Sequence, residues 1–299
     1  MATPSFPAAV GVWWTSDTRP ITEVQRAATE LEGLGYGSLW FGEAAGKEAL
    51  TQSGALLAAT RRLRVGTGIA NIHARDAMAA ESGGRTLVAQ YPERFLLGLG
   101  VSHAPLVQHR SGTYEKPLTT MRDYLARMDQ VSGKIEPGVG RAPRLLAALG
   151  PKMLDLSATA ADGAHTYLVT PKHTADAREA IGPDKTLVVE QGIAATTDRE
   201  TALRRAHAHL DMYSVLPNYR NNWLREGFTE DDLVRGGSDR LAEALVAWGR
   251  TEDIVGRVRE HLDAGADHVV VQLLGEEQTD DPLPALRDLA PALTALTGR

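Results

Sequence analysis

Arg94–Ala104 reads RFLLGLGVSHA. Phe95–Leu99 is an apolar run broken only by Gly98, too short for a helix and without polar alternation. Such a run is a strand buried on both faces, as in a parallel sheet. At its end the chemistry changes: Gly100 admits a close backbone approach, and Ser102 and His103 place a hydroxyl and an imidazole there. In sheets of βα units, ligands bind beyond the carboxyl ends of the strands, so this stretch also predicts where the site lies.

The chain on either side repeats the unit. Strands are predicted at Ala8–Trp14, Tyr36–Gly42, Arg64–Ala70, Arg144–Ala148, His165–Val169, Thr186–Ile193 and Asp267–Leu274. Helical stripes lie between them: Pro20–Leu34, Glu48–Thr60, Asp76–Gln90, Leu118–Val131, a segment opened by Pro151, Thr174–Ile181, Asp198 to about Ser214, Arg240–Trp248, Asp253–Ala264 and Leu283–Leu296. Pro217–Gly237 reads as an irregular polar insertion. Eight βα units predict an α/β protein of the (β/α)8 TIM-barrel type, with a doubly wound open sheet as the other arrangement of the same units. No Pro-, Gly- or Ser-rich linker divides residues 1–299, which predicts a single domain with an excursion at about 217–237.

Composition removes several function classes. The chain has 299 residues and a formal net charge of -6 with interspersed signs, which gives no footprint for nucleic acid. At this length roughly 75% of the extended chain's surface is buried on folding, so no staple is required. Zero cysteines exclude disulfides and thiolate chemistry. No apolar run approaches about 18 residues, and MATPSFPAAV lacks a basic leader, so the expectation is a cytoplasmic protein with no membrane partner.

Collected at the strand ends are Trp13, Trp14, Glu43, Gly68–Asn71, Val101–His103, Leu149, Gly150 and Thr170–His173. Few charges and much glycine and aromatic surface suit a large planar ligand better than a metal. His207 and His209 are two apart in a helical pattern, so they face apart, and no metal site is expected. His103 is the acid–base candidate, its other reading being a loop histidine bonded to a carbonyl. Glu43 is read either as a cap or ion-pair partner, or as a cofactor contact. Trp13 and Trp14 are expected to split between site and packing. Gly66 and Gly68 mark either a bulge or a barrel interior that needs small residues. The insertion, with Tyr219 and Trp223, is open between a lid, a dimer contact and a solvated loop.

VGTGIANIHAR (Val65–Arg75), RFLLGLGVSHA, DGAHTYLVTPKHT (Asp162–Thr174) and AGADHVVVQLL (Ala264–Leu274) together resemble the luciferase-like superfamily, in its deazaflavin branch of F420-dependent oxidoreductases. The resemblance implies a TIM barrel with an insertion after the seventh strand, a homodimer, and coenzyme F420 across the barrel mouth. It implies a bulge with a non-prolyl cis bond at Gly68–Ile69, and cofactor contacts from Glu43, Gly68, Ile69, Ala70, Val101 and Ser102. A phosphate-binding turn matches Leu149, Gly150 and Lys152. Substrate contacts match Trp13, Trp14, Asn71, Thr170 and Lys172. The catalytic pair of the relatives matches Glu43 and His103, with His103 standing where relatives carry glutamate and Ala44 where they carry histidine. The activity implied is hydride transfer between F420 and a small organic substrate. Alternatives are an FMN-dependent monooxygenase and a cofactor-binding member without turnover.

Overall fold

A computed structural model describes residues 6–110, 112–132, 138–277 and 280–298. The strands are β1 (Val10–Trp13), β2 (Ser38–Phe41), β3 (Arg64–Thr67), β4 (Ala70–Asn71), β5 (Phe95–Gly100), β6 (Arg144–Ala147), β7 (Gly163–Thr166), β8 (Thr186–Ala194), β9 (Val246–Trp248) and β10 (His268–Leu273). Every pairing is parallel, in the order β10-β1-β2-β3-β5-β6-β7-β8. Pairing of β8 with β10, from His268↔Val188 to Leu273↔Ile193, closes the sheet. The result is a closed eight-stranded parallel barrel, which settles the choice against the open sheet. β5 is buried at all six positions, as its unbroken apolar run predicts.

Two layers fill the molecule. Trp13, Trp40, Leu96, Leu145, Val188 and Val270 pack inside the barrel. Outward residues such as Val12, Leu39, Val65, Leu97 and Val189 meet the helices. A Cβ on Gly66 would fall into the Trp40 indole, and one on Gly68 would lie 2.6 Å from Trp13 Nε1. Both readings of that glycine pair are therefore met: Gly66 makes room inside the barrel, and Gly68 belongs to a bulge.

Several boundaries differ from the sequence reading. The third barrel strand splits into β3 and β4 around a cis Gly68–Ile69 peptide, and β4 pairs with β5. A helix over Ala104–His109 (α1, in the labels used here) follows β5 and was not expected. The sixth barrel strand ends at Thr166, and the helix after it, α2, starts early, at Pro171–Ile181, because the Thr170 side chain caps it. The helix expected over Arg240–Trp248 stops at Leu245, where the chain extends and Val246–Trp248 pairs with Gly192–Ala194 of β8. The 217–237 excursion is regular: helix α3 (Pro217–Glu226), with Pro217 in its first turn and Gly227 in the left-handed conformation after it, then a 3-10 turn at Glu230–Leu233. Tyr219, Asn222 and Trp223 fall at i, i+3 and i+4 and are its buried face. Among the described residues, no helix is long and apolar enough to cross a membrane.

Candidate active site at the barrel mouth

The bulge between β3 and β4 is held from both sides. Trp13 Nε1 donates to the Gly68 carbonyl at 3.0 Å, and the Glu43 amide donates to the Ile69 carbonyl at 3.1 Å. The Glu43 carboxylate accepts from the Asn71 and Ala49 amides at 2.8 and 3.1 Å and pairs with Arg75. Glu43 is thus buried with both oxygens engaged, so the ion-pair reading of this residue is the one its contacts show. Ile69 folds across Gly100, where a Cβ would strike it, and Ala70 is fully buried. Asn71 is buried, and its side-chain nitrogen has no acceptor.

On the next strand, Val101, Ser102 and His103 leave β5 half-buried, Ser102 with φ 60°. His103 stands at the N-terminus of α1. Among the described residues its imidazole has no hydrogen-bond partner; its neighbour is the Tyr219 ring, 5.8 Å away. Burial lowers its pKa, so the ring is neutral at pH 7.

One strand further, Leu149 and Gly150 lead into helix α4 (Pro151–Ala160), whose N-cap Gly150 offers no side-chain cap. Lys152 is exposed in its first turn. Arg225 of α3 approaches, since a Cβ on Gly150 would lie 3.5 Å from its Nη2. Barrel order makes the bulge, the end of β5 and the start of α4 consecutive, so most of the residues expected at the cofactor come together. Lys172 does not join them; it pairs with Asp176 on the surface of α2 at 2.6 Å. The Thr170 hydroxyl donates to Glu226 of α3, a carboxyl that burial pushes up to about 7.

The tryptophans split. Trp13 lies inside the barrel, 5.5 Å from the Tyr167 ring, while Trp14 lines a cavity of about 360 Å³ on the β1–β8–β10 side of the mouth. That cavity lies away from the bulge, and sequence reading did not anticipate it. It also reaches Gln272 and His209. His209 Nε2 is 3.2 Å from the Tyr167 hydroxyl, which donates to Gln272 Oε1 at 2.8 Å. Burial pushes His209 down to about 4, and raises Tyr167 well above its ordinary value. His207 faces elsewhere, to the Gly236 carbonyl and Asp239, as the two-residue spacing predicts. No metal-binding cluster occurs among the described residues.

An aromatic row crosses the mouth. Ring centroids are 5.5 Å apart for Tyr167–Tyr213, 4.9 Å for Tyr213–Tyr219 and 5.8 Å for His103–Tyr219. Tyr219 and Trp223 come from α3, so the excursion packs over the barrel rather than into solvent. Beneath the row, Glu190 Oε2 accepts from the Leu168 amide at 3.1 Å, and Trp223 Nε1 donates to the Leu168 carbonyl at 3.1 Å. Glu190 Oε1 is buried without a partner, and burial pushes this carboxyl up to about 8. The arrangement offers neutral proton-carrying groups around an aromatic surface, with Lys152 and Arg225 at the α4 end.

Comparison with known proteins agrees with this architecture. A 5,10-methylenetetrahydromethanopterin reductase of Methanolobus tindarius is 22% identical over 293 residues, covering 84% of this chain and 90% of that one. An F420-dependent secondary alcohol dehydrogenase solved with an F420–acetone adduct superposes with TM-score 0.74 at 14% identity, over 96% of this chain and 99% of that one. The oxygenating constituent of 3,6-diketocamphane monooxygenase of Pseudomonas putida, solved with FMN, superposes with TM-score 0.68 at 12% identity, over 97% of each chain. These solved structures share the fold, and they include partners of both cofactors. The profile of the luciferase-like monooxygenase family matches residues 5–268, and the chain belongs to that family.

Proposed function

We propose that this protein is an oxidoreductase that uses coenzyme F420 to exchange a hydride with a small organic substrate. The observation that carries the reading is His103: a neutral imidazole at the mouth, beyond the end of a buried strand, with no hydrogen-bond partner among the described residues. The residues present fit a deazaflavin. Asn71 keeps a buried amide nitrogen without an acceptor, which suits the polar edge of a planar ring. The uncapped α4 N-terminus, with Lys152 in its first turn and Arg225 beside Gly150, suits the anionic tail. When bound, that coenzyme supplies a two-electron hydride carrier.

The chain's own residues then have distinct tasks. Gly68–Ala70 and the backbone at Val101 and Ser102 form the support for the ring. Glu43 fixes the bulge through Asn71, Ala49 and Arg75, and is a positioning residue. The neutral imidazole of His103 takes a proton from a substrate hydroxyl during oxidation and returns it during reduction. Tyr219 and Tyr213 exclude water from the mouth.

A fluorescence titration with F420 and, separately, with FMN tests the cofactor. Binding of F420 at micromolar or lower concentration supports the reading. Binding of FMN alone, with oxygen uptake by the reduced form, replaces it with the monooxygenase activity in the family's description. His103→Ala is expected to lower turnover about 10²–10⁴-fold while sparing F420 binding. Unchanged turnover removes His103 from the chemistry.

A further inference from the structure

The cavity beside Trp14 has no task in the scheme above. At about 360 Å³ it lies within the range of ligand pockets, roughly 300–1,000 Å³. Its walls include Trp14, Leu274, Pro282 and Ala285. The cation at its rim is committed elsewhere, and the rim carboxylates Glu276, Glu277, Asp280 and Asp281 outnumber it. Arg205 pairs with Glu276 at 3.0 Å, and Asp280 accepts from the Glu276 and Glu277 amides at 2.7 and 3.1 Å. An anionic ligand would therefore find no free cation among these groups.

Two polar groups remain available. The Tyr167 hydroxyl donates to Gln272 Oε1, so its oxygen accepts from His209 Nε2–H. This leaves His209 Nδ1 as an acceptor. It also leaves the Gln272 amide nitrogen as a donor, and neither atom has a protein partner among the described residues. Burial keeps His209 uncharged. One donor and one acceptor match a single hydroxyl group, whose oxygen accepts from the Gln272 amide and whose proton goes to His209 Nδ1. The aromatic row of Tyr167, Tyr213 and Tyr219 runs from this pocket to His103.

We infer that the cavity anchors the far end of the substrate, an elongated neutral molecule with an apolar body and a hydroxyl held by Gln272 and His209. The body lies along the tyrosine row, and the reacting carbon lies at the His103 end. The substrate role rests on the oxidoreductase reading; the binding site itself does not.

Ligand-observed and protein-observed NMR titrations of the cofactor-free protein test it, with cyclohexanol as the probe and cyclohexanone and cyclohexanecarboxylate as counterparts. Cyclohexanol is expected to bind and to shift the Trp14 indole resonance, with the ketone weaker and the carboxylate at least tenfold weaker. Ala285→Trp, which fills the cavity from the helix beside it, should abolish binding. Gln272→Leu, close in size, should weaken it about three- to tenfold by removing one hydrogen bond. The inference is overturned if cyclohexanol does not bind, if the ketone or carboxylate binds as well, or if Ala285→Trp leaves binding intact. Each variant's circular dichroism confirms folding, and its F420 titration is read separately. Loss of F420 binding in the unmodified protein would defeat the proposed function while these probe titrations still decide the cavity.

Discussion

Replacing Glu43 by alanine separates a structural from a chemical role for that carboxylate. The side chain is 2% exposed and that of its partner Arg75 is 9% exposed, so the pair is held largely out of water. Truncation removes the acceptor for the Asn71 and Ala49 amides and leaves the guanidinium facing a void. Breaking a buried pair from one side costs about 3–5 kcal/mol. Arg75 retains Glu48 at 2.6 Å, but that carboxylate is 46% exposed and compensates weakly. The loss expected is therefore near the lower bound, about 3 kcal/mol. Glu48→Gln, which keeps the capping oxygen for Thr51, should cost about 0–1 kcal/mol. Urea unfolding followed by tryptophan fluorescence measures both. The double variant Glu43→Ala with Arg75→Met should recover part of the loss, because no buried charge is left unpaired. The clamp argument is refuted if Glu43→Ala costs less than about 1 kcal/mol, or no more than Glu48→Gln.

Three further outcomes follow from burial. Glu190, with its pKa raised from 4.5 to about 8, stays protonated in the folded protein while ionising in the unfolded chain. Stability from this group is complete below pH 4.5 and is lost as pH rises towards 8, so Glu190→Gln should flatten the stability profile across that window in thermal melts. His165 and His209, lowered to about 4, and His261 and His268, lowered to about 3, act in the opposite direction. They remain neutral when folded and protonate when unfolded, so stability should fall as pH drops from 6.5 towards 4, with proton uptake on unfolding measurable by calorimetry in buffers of different ionisation enthalpy. Trp223→Ala should cost about 3–5 kcal/mol in urea unfolding, because the indole is fully buried and its N–H holds the Leu168 carbonyl; a cost below 1 kcal/mol would detach α3 from the barrel's stability.

The barrel was legible because its strands carry their burial in their composition. FLLGLG and HVVVQL read as sheet interior without reference to anything distant. The excursion was not legible for a specific reason. Tyr219, Asn222 and Trp223 occupy one helical face, but Asn221, Arg220 and Arg225 around them lower the mean apolarity, and a buried asparagine counts against a core stripe. Helix α3 is ordered by what it covers, the Leu168 turn and Tyr213, and that tertiary information is absent from its own residues. Likewise Val246–Trp248 is a strand only because Gly192–Ala194 offers an edge to pair with.

The residues that the sequence expected beyond strand ends and that lie there in the structure are the bulge, Ser102, His103 and Gly150. Those it missed are inside strands or on distant helices. Glu190 in TLVVEQGIA and Gln272 in HVVVQL did leave a signal, a polar residue inside a run otherwise apolar enough to be buried on both faces. Burying an acid or an amide there costs free energy unless a partner compensates. Such a residue therefore marks either a structural hydrogen bond or a ligand. Glu190 has the first in the Leu168 amide, and Gln272 has half of it in Tyr167, keeping an amide nitrogen for the cavity. His209 left no such signal, because a histidine in an exposed-looking helix turns inward only once that helix packs against the mouth. A buried polar residue in a strand does not by itself mark the ligand side, because Ser38 and His268 pair at 2.6 Å at the opposite, N-terminal ends of their strands; what sets Gln272 apart is the partner it lacks.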